Sequence, residues 1–260
     1  MTHKLTMTTF LITTLFTSAQ VNADNLSLGG VKNQWQQSQA LEQLKTLTPA
    51  DDNLDQFKGK TREQVATLKA TLTSKLTSAV NSKTSSQTAM ARTNLYHNEF
   101  NIYQGYAQLI EDYDGDSFYR TFSVTFDADV YSHDIINEAR VYAELYLSED
   151  GGDWVHYYTT DNFTIYGESE DDEYEVYTTL DQGYVPNHYD VLIDLYEVGY
   201  SDIVATYSSN DSNDLYALPL ESSDYDPEYV EPHSNSHSHG GSYSWLMIAL
   251  LSICLTRKFK

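Results

Sequence analysis

From about residue 94 onward, apolar residues recur at every second position. Phe122, Val124 and Phe126 alternate with Thr121, Ser123 and Thr125, and Val141, Ala143, Leu145 and Leu147 repeat the pattern. This period of two is that of a strand with one face buried. After Asp150-Gly151-Gly152, a hairpin signal, further strands are predicted over Trp154–Tyr158, Phe163–Tyr166, Glu173–Leu180, Tyr189–Val198 and Ile203–Tyr207. In the Tyr189–Val198 run, Val191, Ile193 and Leu195 face one way, while Asp190, Asp194 and Tyr196 mostly face the other. About seven or eight short strands, with no helix-length segments between them, predict an antiparallel β-sandwich. The abundance of tyrosine, 22 in the chain, suits strands whose outward faces are amphipathic.

Upstream the period changes. Leu41, Leu44 and Leu47 are three apart before Pro49 to Asn53 breaks the run, and Thr61 with Gln64 forms a capping-box pattern. Val65, Leu68, Leu72, Leu76 and Ala79 then lie on one face of a helix. That stripe either packs on its own domain or forms a coiled-coil seam, which Lys75 interrupts. Ser82 to Thr93 is rich in serine and threonine and reads as a linker. The predicted chain is thus mainly β: a helical and linker segment over 24–93, then an antiparallel β-sandwich over 94–222.

Both ends carry apolar segments of another kind. Lys4, the apolar Leu5 to Leu15 and Val21-Asn22-Ala23 predict a signal peptide over 1–23, cut by signal peptidase after Ala23. Asp24 follows rather than cysteine, so a lipid anchor at that position is not expected. At the other end, a polar stalk over 223–241 leads to Gly240-Gly241, an apolar helix from Trp245 to Leu255, and the basic residues Arg257, Lys258 and Lys260. The apolar run is shorter than the roughly 20 residues that span a bilayer. It reads either as a transient stop removed by proteolysis or as an ordinary C-terminal anchor, with the basic end cytoplasmic. The glycine pair, serine-containing spacer, apolar helix and basic end resemble the GlyGly-CTERM sorting signal of Gram-negative bacteria. That resemblance implies cleavage near Gly240 and Gly241 by a rhomboid-like protease and handling by type II export machinery.

Charge and cysteine content narrow the partners. A formal net charge of −23 repels phosphate backbones and anionic lipid surfaces, which excludes nucleic acid as a partner, and it favours divalent cations. The single cysteine, Cys254, lies in the C-terminal apolar run, so the exported body has no disulfide. The stretch Glu111-Asp112-Tyr113-Asp114-Gly115-Asp116 places alternating carboxylates around a glycine, with Arg120 close by and Asp127-Ala128-Asp129 further along. Calcium needs six to eight oxygen ligands, and Asp112, Asp114, Asp116, Asp127 and Asp129 are the candidates to supply them. The spacing is not that of an EF-hand, and a solvated acidic turn is the other reading. No zinc-protease, nucleophile-elbow or phosphate-loop motif is present. His97, His133, His156 and His188 read as isolated turn or surface residues, and His233, His237 and His239 as parts of the stalk.

The β region resembles the choice-of-anchor H family through Asp112-Tyr-Asp-Gly-Asp116, Phe122-Ser-Val-Thr-Phe-Asp-Ala-Asp129, Val204-Ala-Thr-Tyr207 and Leu218-Pro-Leu-Glu221 with Asp224. The resemblance implies a bacterial surface or secreted protein and supplies no catalytic residue; it favours glycine where this chain has Ser117. The expected function is that of an exported, non-enzymatic surface module, passing through the inner membrane to the cell surface or medium and binding a glycan or a protein. The alternative is a secreted hydrolase or carbohydrate-binding accessory, with tyrosines and Trp154 forming a glycan face. Replacing both Gly240 and Gly241 by leucine is expected to abolish a mature form running from Asp24 to about Gly240, read by intact mass; a chain that ends at Lys260 in both proteins refutes the sorting signal.

Overall fold

The computed structural model describes residues 23–34, 36–47, 56–80, 98–132 and 137–227, with backbone alone for 76–80. The expected signal peptide before Ala23, the serine-rich linker, the expected stalk beyond residue 227, the glycine pair and the C-terminal apolar helix lie outside these residues, as do His97 and His133. Among these residues ten strands are formed: β1 (Asp24–Val31), β2 (Glu99–Glu111), β3 (Thr121–Tyr131), β4 (Glu138–Glu149), β5 (Val155–Thr159), β6 (Phe163–Tyr166), β7 (Tyr174–Gln182), β8 (Asn187–Glu197), β9 (Ile203–Ser208) and β10 (Leu218–Leu220). Among the described residues, two helices precede β2, α1 (Gln37–Leu44) and α2 (Arg62–Val80).

The strands make two antiparallel sheets. One runs β1-β7-β3-β2; the other runs β10-β8-β4-β5, with β6 also on β4 and β9 also on β8. Between them Phe122, Val124, Phe126 and Val130 of β3 and Val176 and Leu180 of β7 meet Val141, Ala143 and Leu145 of β4 and Val191, Ile193 and Leu195 of β8. The alternation read from sequence therefore assigns the core-facing side of these strands correctly, and the fold is the expected antiparallel β-sandwich.

The segment assigned to helix and linker opens instead with β1, which pairs along its length with β7. Its alternation is inverted: Asn25 and Ser27 are buried while Leu26 and Leu28 face α1. Asn25 is held by hydrogen bonds from its Nδ2 to Ser27 Oγ at 2.8 Å and Tyr157 O at 3.1 Å. A polar inward face hides the strand from a hydrophobicity reading. Gly29 is required there because a Cβ would lie 2.7 Å from the Tyr174 ring. The sandwich also continues beyond residue 222, since Asp226 is buried.

The two helices cover the two outer faces. On the first sheet, Ala40 and Leu44 of α1 bury Tyr177, with Leu26, Leu28 and Ile110 around them. On the second, Val65 of α2 packs with Phe57, Tyr146 and Leu192. The capping box forms as its pattern predicts: Thr61 N donates to Gln64 Oε1 at 3.0 Å and Gln64 N to Thr61 Oγ1 at 3.3 Å. Along the described part of the stripe burial falls from Val65, fully buried, to Leu72, 37% exposed.

What α2 covers is charged. Arg62 makes a two-pronged contact with the buried Asp194, Nε to Oδ2 and Nη2 to Oδ1, each 2.7 Å. Lys69 pairs with the buried Glu144 and lies 3.3 Å from the centroid of the Tyr196 ring, which stacks on Tyr142. The other oxygen of Glu144 is 2.9 Å from His156 Nε2. His156, read from sequence as a turn or surface residue, is fully buried because α2 roofs the face on which it stands. Lys69→Met is expected to destabilise the fold by about 3 kcal/mol in denaturant unfolding, since it strips a buried carboxylate of its cation; Leu72→Ala should change stability by no more than about 0.5 kcal/mol.

Candidate metal centre

The loop from β2 to β3 is wound by its own aspartates. Asp112 accepts from Gly115 N at 2.7 Å and Ser117 N at 3.1 Å, Asp114 from Asp116 N at 3.1 Å, and Asp116 from Phe118 N at 2.8 Å. Such short acidic side chains bond the backbone two or three residues ahead and so curl it. Gly115 (φ 79°) and Ser117 (φ 80°) both take left-handed backbone. Serine in that backbone at 117 costs on the order of 1 kcal/mol relative to glycine.

The C-terminal segment brings two more acids to this loop. Tyr119 N donates to Pro219 O at 3.0 Å and Glu221 N to Tyr119 O at 3.1 Å, which sets Glu221 under the turn. Asp226 Oδ1 accepts from Tyr113 N at 2.7 Å and Asp114 N at 2.9 Å. Its Oδ2 is 3.5 Å from Arg120 Nε, and Arg120 itself lies over the Tyr113 ring at 3.8 Å.

Two overlapping triads result. Asp112, Asp114 and Asp116 each offer an oxygen within 4.8 Å of the others, and so do Asp114, Glu221 and Asp226. Asp114 belongs to both. Glu221 is fully buried, and neither of its side-chain oxygens has a hydrogen-bond partner. Burial, with Asp116, Asp114, Asp226 and Asp112 nearby, pushes its carboxyl up to about 7. A buried carboxylate without a donor is costly, and a divalent cation is the partner that would satisfy it along with its neighbours. The donor set is all hard oxygen, the chemistry calcium requires.

The structure brings together three of the five acids singled out from sequence and leaves two elsewhere. Asp127 and Asp129 lie opposite Gln104 and Asn101, at the far end of β3 from the loop that enters at Thr121. Six residues of strand separate Thr121 from Asp127, about 20 Å at 3.3–3.4 Å per residue. They belong to a different neighbourhood, that of Asp172, whose Oδ2 accepts from Tyr166 N at 2.5 Å. Glu221 and Asp226 carry no periodic or spacing signal; Glu221 entered only as the end of the Leu218-Pro-Leu-Glu221 stretch. Trp154, a candidate for a glycan face, is half-buried against the Phe57 and Val65 cluster.

Asp127 supplies a pH test. Burial, with Asp172 and Asp129 next in weight, raises its carboxyl from 3.8 to about 6. The folded state therefore holds the proton more tightly than the unfolded chain, and the group's contribution worsens as pH rises from about 4 through about 6. Asp127→Asn is expected to stabilise the fold, with a gain that is small near pH 4, grows with pH and levels off above about pH 7. A gain in unfolding free energy that is independent of pH would refute this reading.

No family model matches the chain, and no curated protein matches it. Among solved structures, one that is similar is a domain of the outer membrane lipoprotein Omp28 from Porphyromonas gingivalis, at 12% identity and a TM-score of 0.26, over 47% of this chain and 99% of that one. A likeness of that size identifies neither family nor function, and the sandwich is defined by its own strand pairings.

Proposed function

We propose that this chain is an exported, non-enzymatic β-sandwich module, sorted to the bacterial surface and steadied there by a calcium ion held by Asp112, Asp114, Asp116, Glu221 and Asp226. The observation that carries the calcium part is Glu221: fully buried, with neither oxygen hydrogen-bonded, and with an oxygen within 4.8 Å of those of Asp114 and Asp226. Three further features support the reading. β1 begins at Asp24, the residue that would follow signal-peptide cleavage, so the mature chain would enter its first sheet at once. The lone cysteine lies in the C-terminal apolar run, which leaves an ion as the available cross-link for the exported body. The resemblances to the choice-of-anchor H family and to the GlyGly-CTERM signal point to the same destination.

Calcium is expected to raise the melting temperature over that in chelator, with stabilisation of about 2.7 kcal/mol at a hundredfold excess over Kd. Magnesium, which demands tight octahedral geometry and sheds its waters reluctantly, should give much less. Glu221→Gln should remove most of the calcium response while melting in chelator at or above the unsubstituted protein. An identical melting temperature with calcium and with chelator would refute the calcium part, and absence of the protein from the surface and medium of its host would refute the display part.

A further inference from the structure

β10 holds to β8 through three residue pairs, Leu218 with Tyr189, Pro219 with His188 and Leu220 with Asn187. Beyond it the chain leaves the second sheet and crosses to the first. Ser222 N donates to Tyr184 O at 2.9 Å, Ser223 N to Leu180 O at 2.9 Å near the end of β7, and Asp226 accepts from the β2–β3 loop. Residues 221–226 are therefore a bridge between the two sheets, and Pro227 and the stalk sequence follow directly.

Both ends of this bridge carry acids of the candidate metal centre. Glu221 opens it and Asp226 closes it, while Asp112, Asp114 and Asp116 come from a loop about 100 residues earlier in the chain. Resting on the calcium reading above, the geometry points to a calcium clasp: one ion joins the β2–β3 loop to the crossing segment, and its occupancy decides whether the C-terminal exit is closed on the sandwich. The driving force is charge. Among the described residues, Arg120 is the cation that reaches this cluster, and at 3.5 Å from Asp226 it does not hydrogen-bond it. Without a divalent ion, lifting residues 221–226 hydrates Glu221 and separates like charges, opposed by the short β10 ladder and by the backbone bonds of Glu221, Ser222 and Ser223 to Tyr119, Tyr184 and Leu180. With calcium, the same movement must break metal–oxygen contacts at both ends of the segment. A calcium-poor compartment would then hold the exit open and a calcium-rich exterior would shut it.

Hydrogen exchange on the intact chain, in calcium and in chelator, tests this. Calcium is expected to slow exchange at the amides of Glu221, Ser222 and Ser223 at least about tenfold, together with those of Tyr113 and Asp114, while interior amides of β4 change little. Glu221→Gln should abolish the calcium-dependent protection of 221–226; should that variant not fold, a calcium titration of the unsubstituted chain still reads the same amides. If calcium protects 112–118 but leaves 221–226 unchanged, the clasp is wrong and the calcium site stands. If neither segment is protected and the melting temperature does not move, the calcium reading fails with it.

Discussion

Covering both outer faces of a sandwich with helices takes carboxylates out of water, and a hidden carboxylate needs a cation or donors to remain charged. Much of the architecture answers that requirement. Asp194 is met by Arg62, Glu144 by Lys69 and His156, Glu173 by Lys32 at 2.7 Å and Glu111 by Lys45 at 2.9 Å. Four of these cations, Lys32, Lys45, Arg62 and Lys69, belong to the part of the chain that precedes β2. The N-terminal region is thus the counter-charge of the sheets as well as their cover. Among the described residues, Glu221 is one of the buried acids that this supply of cations does not reach, with Asp127 and Asp172, and it is the one whose two oxygens both lack a partner beside the acidic turn.

The pairing also explains how α2 docks through residues 62–69. Arg62, Val65 and Lys69 lie three and four residues apart, on one helical face, and meet Asp194, Leu192 and Glu144 on the outward side of β8 and β4. An apolar patch flanked by two buried ion pairs fixes the helix in register more tightly than a leucine stripe would, because a displacement of one turn would leave each buried acid unpaired.

The strands from β3 to β9 were legible because alternation survives wherever one sheet face is apolar. β1 was not, because its core-facing positions are Asn25, Ser27 and Gly29. β2 was not, because a bulge between Ile102 and Gln104 resets its period and Gly105 makes room for the Tyr207 ring with no apolar side chain of its own. The acidic turn at 112–116 was legible as a local pattern, but its completion by Glu221 and Asp226 depends on a chain crossing that no spacing rule encodes. Asp127 and Asp129 were grouped with that turn by nearness in sequence, which an extended strand converts into distance. The burial of His156 and Glu144 depends on a helix some 70 to 90 residues earlier, so it too lay beyond local reading.

The course of residues 221–226 has a mechanical meaning. Tension on Pro227, were there no crossing, would peel β10 from β8 and from Tyr119 one bond at a time, the weakest way to load a ladder. Because the chain first spans to the β2–β3 loop, tension arrives at both sheets together and is shared between the Asp226 contacts and the β10 ladder. Tension applied at Pro227 would thus be met by a two-layered body rather than by a single short strand.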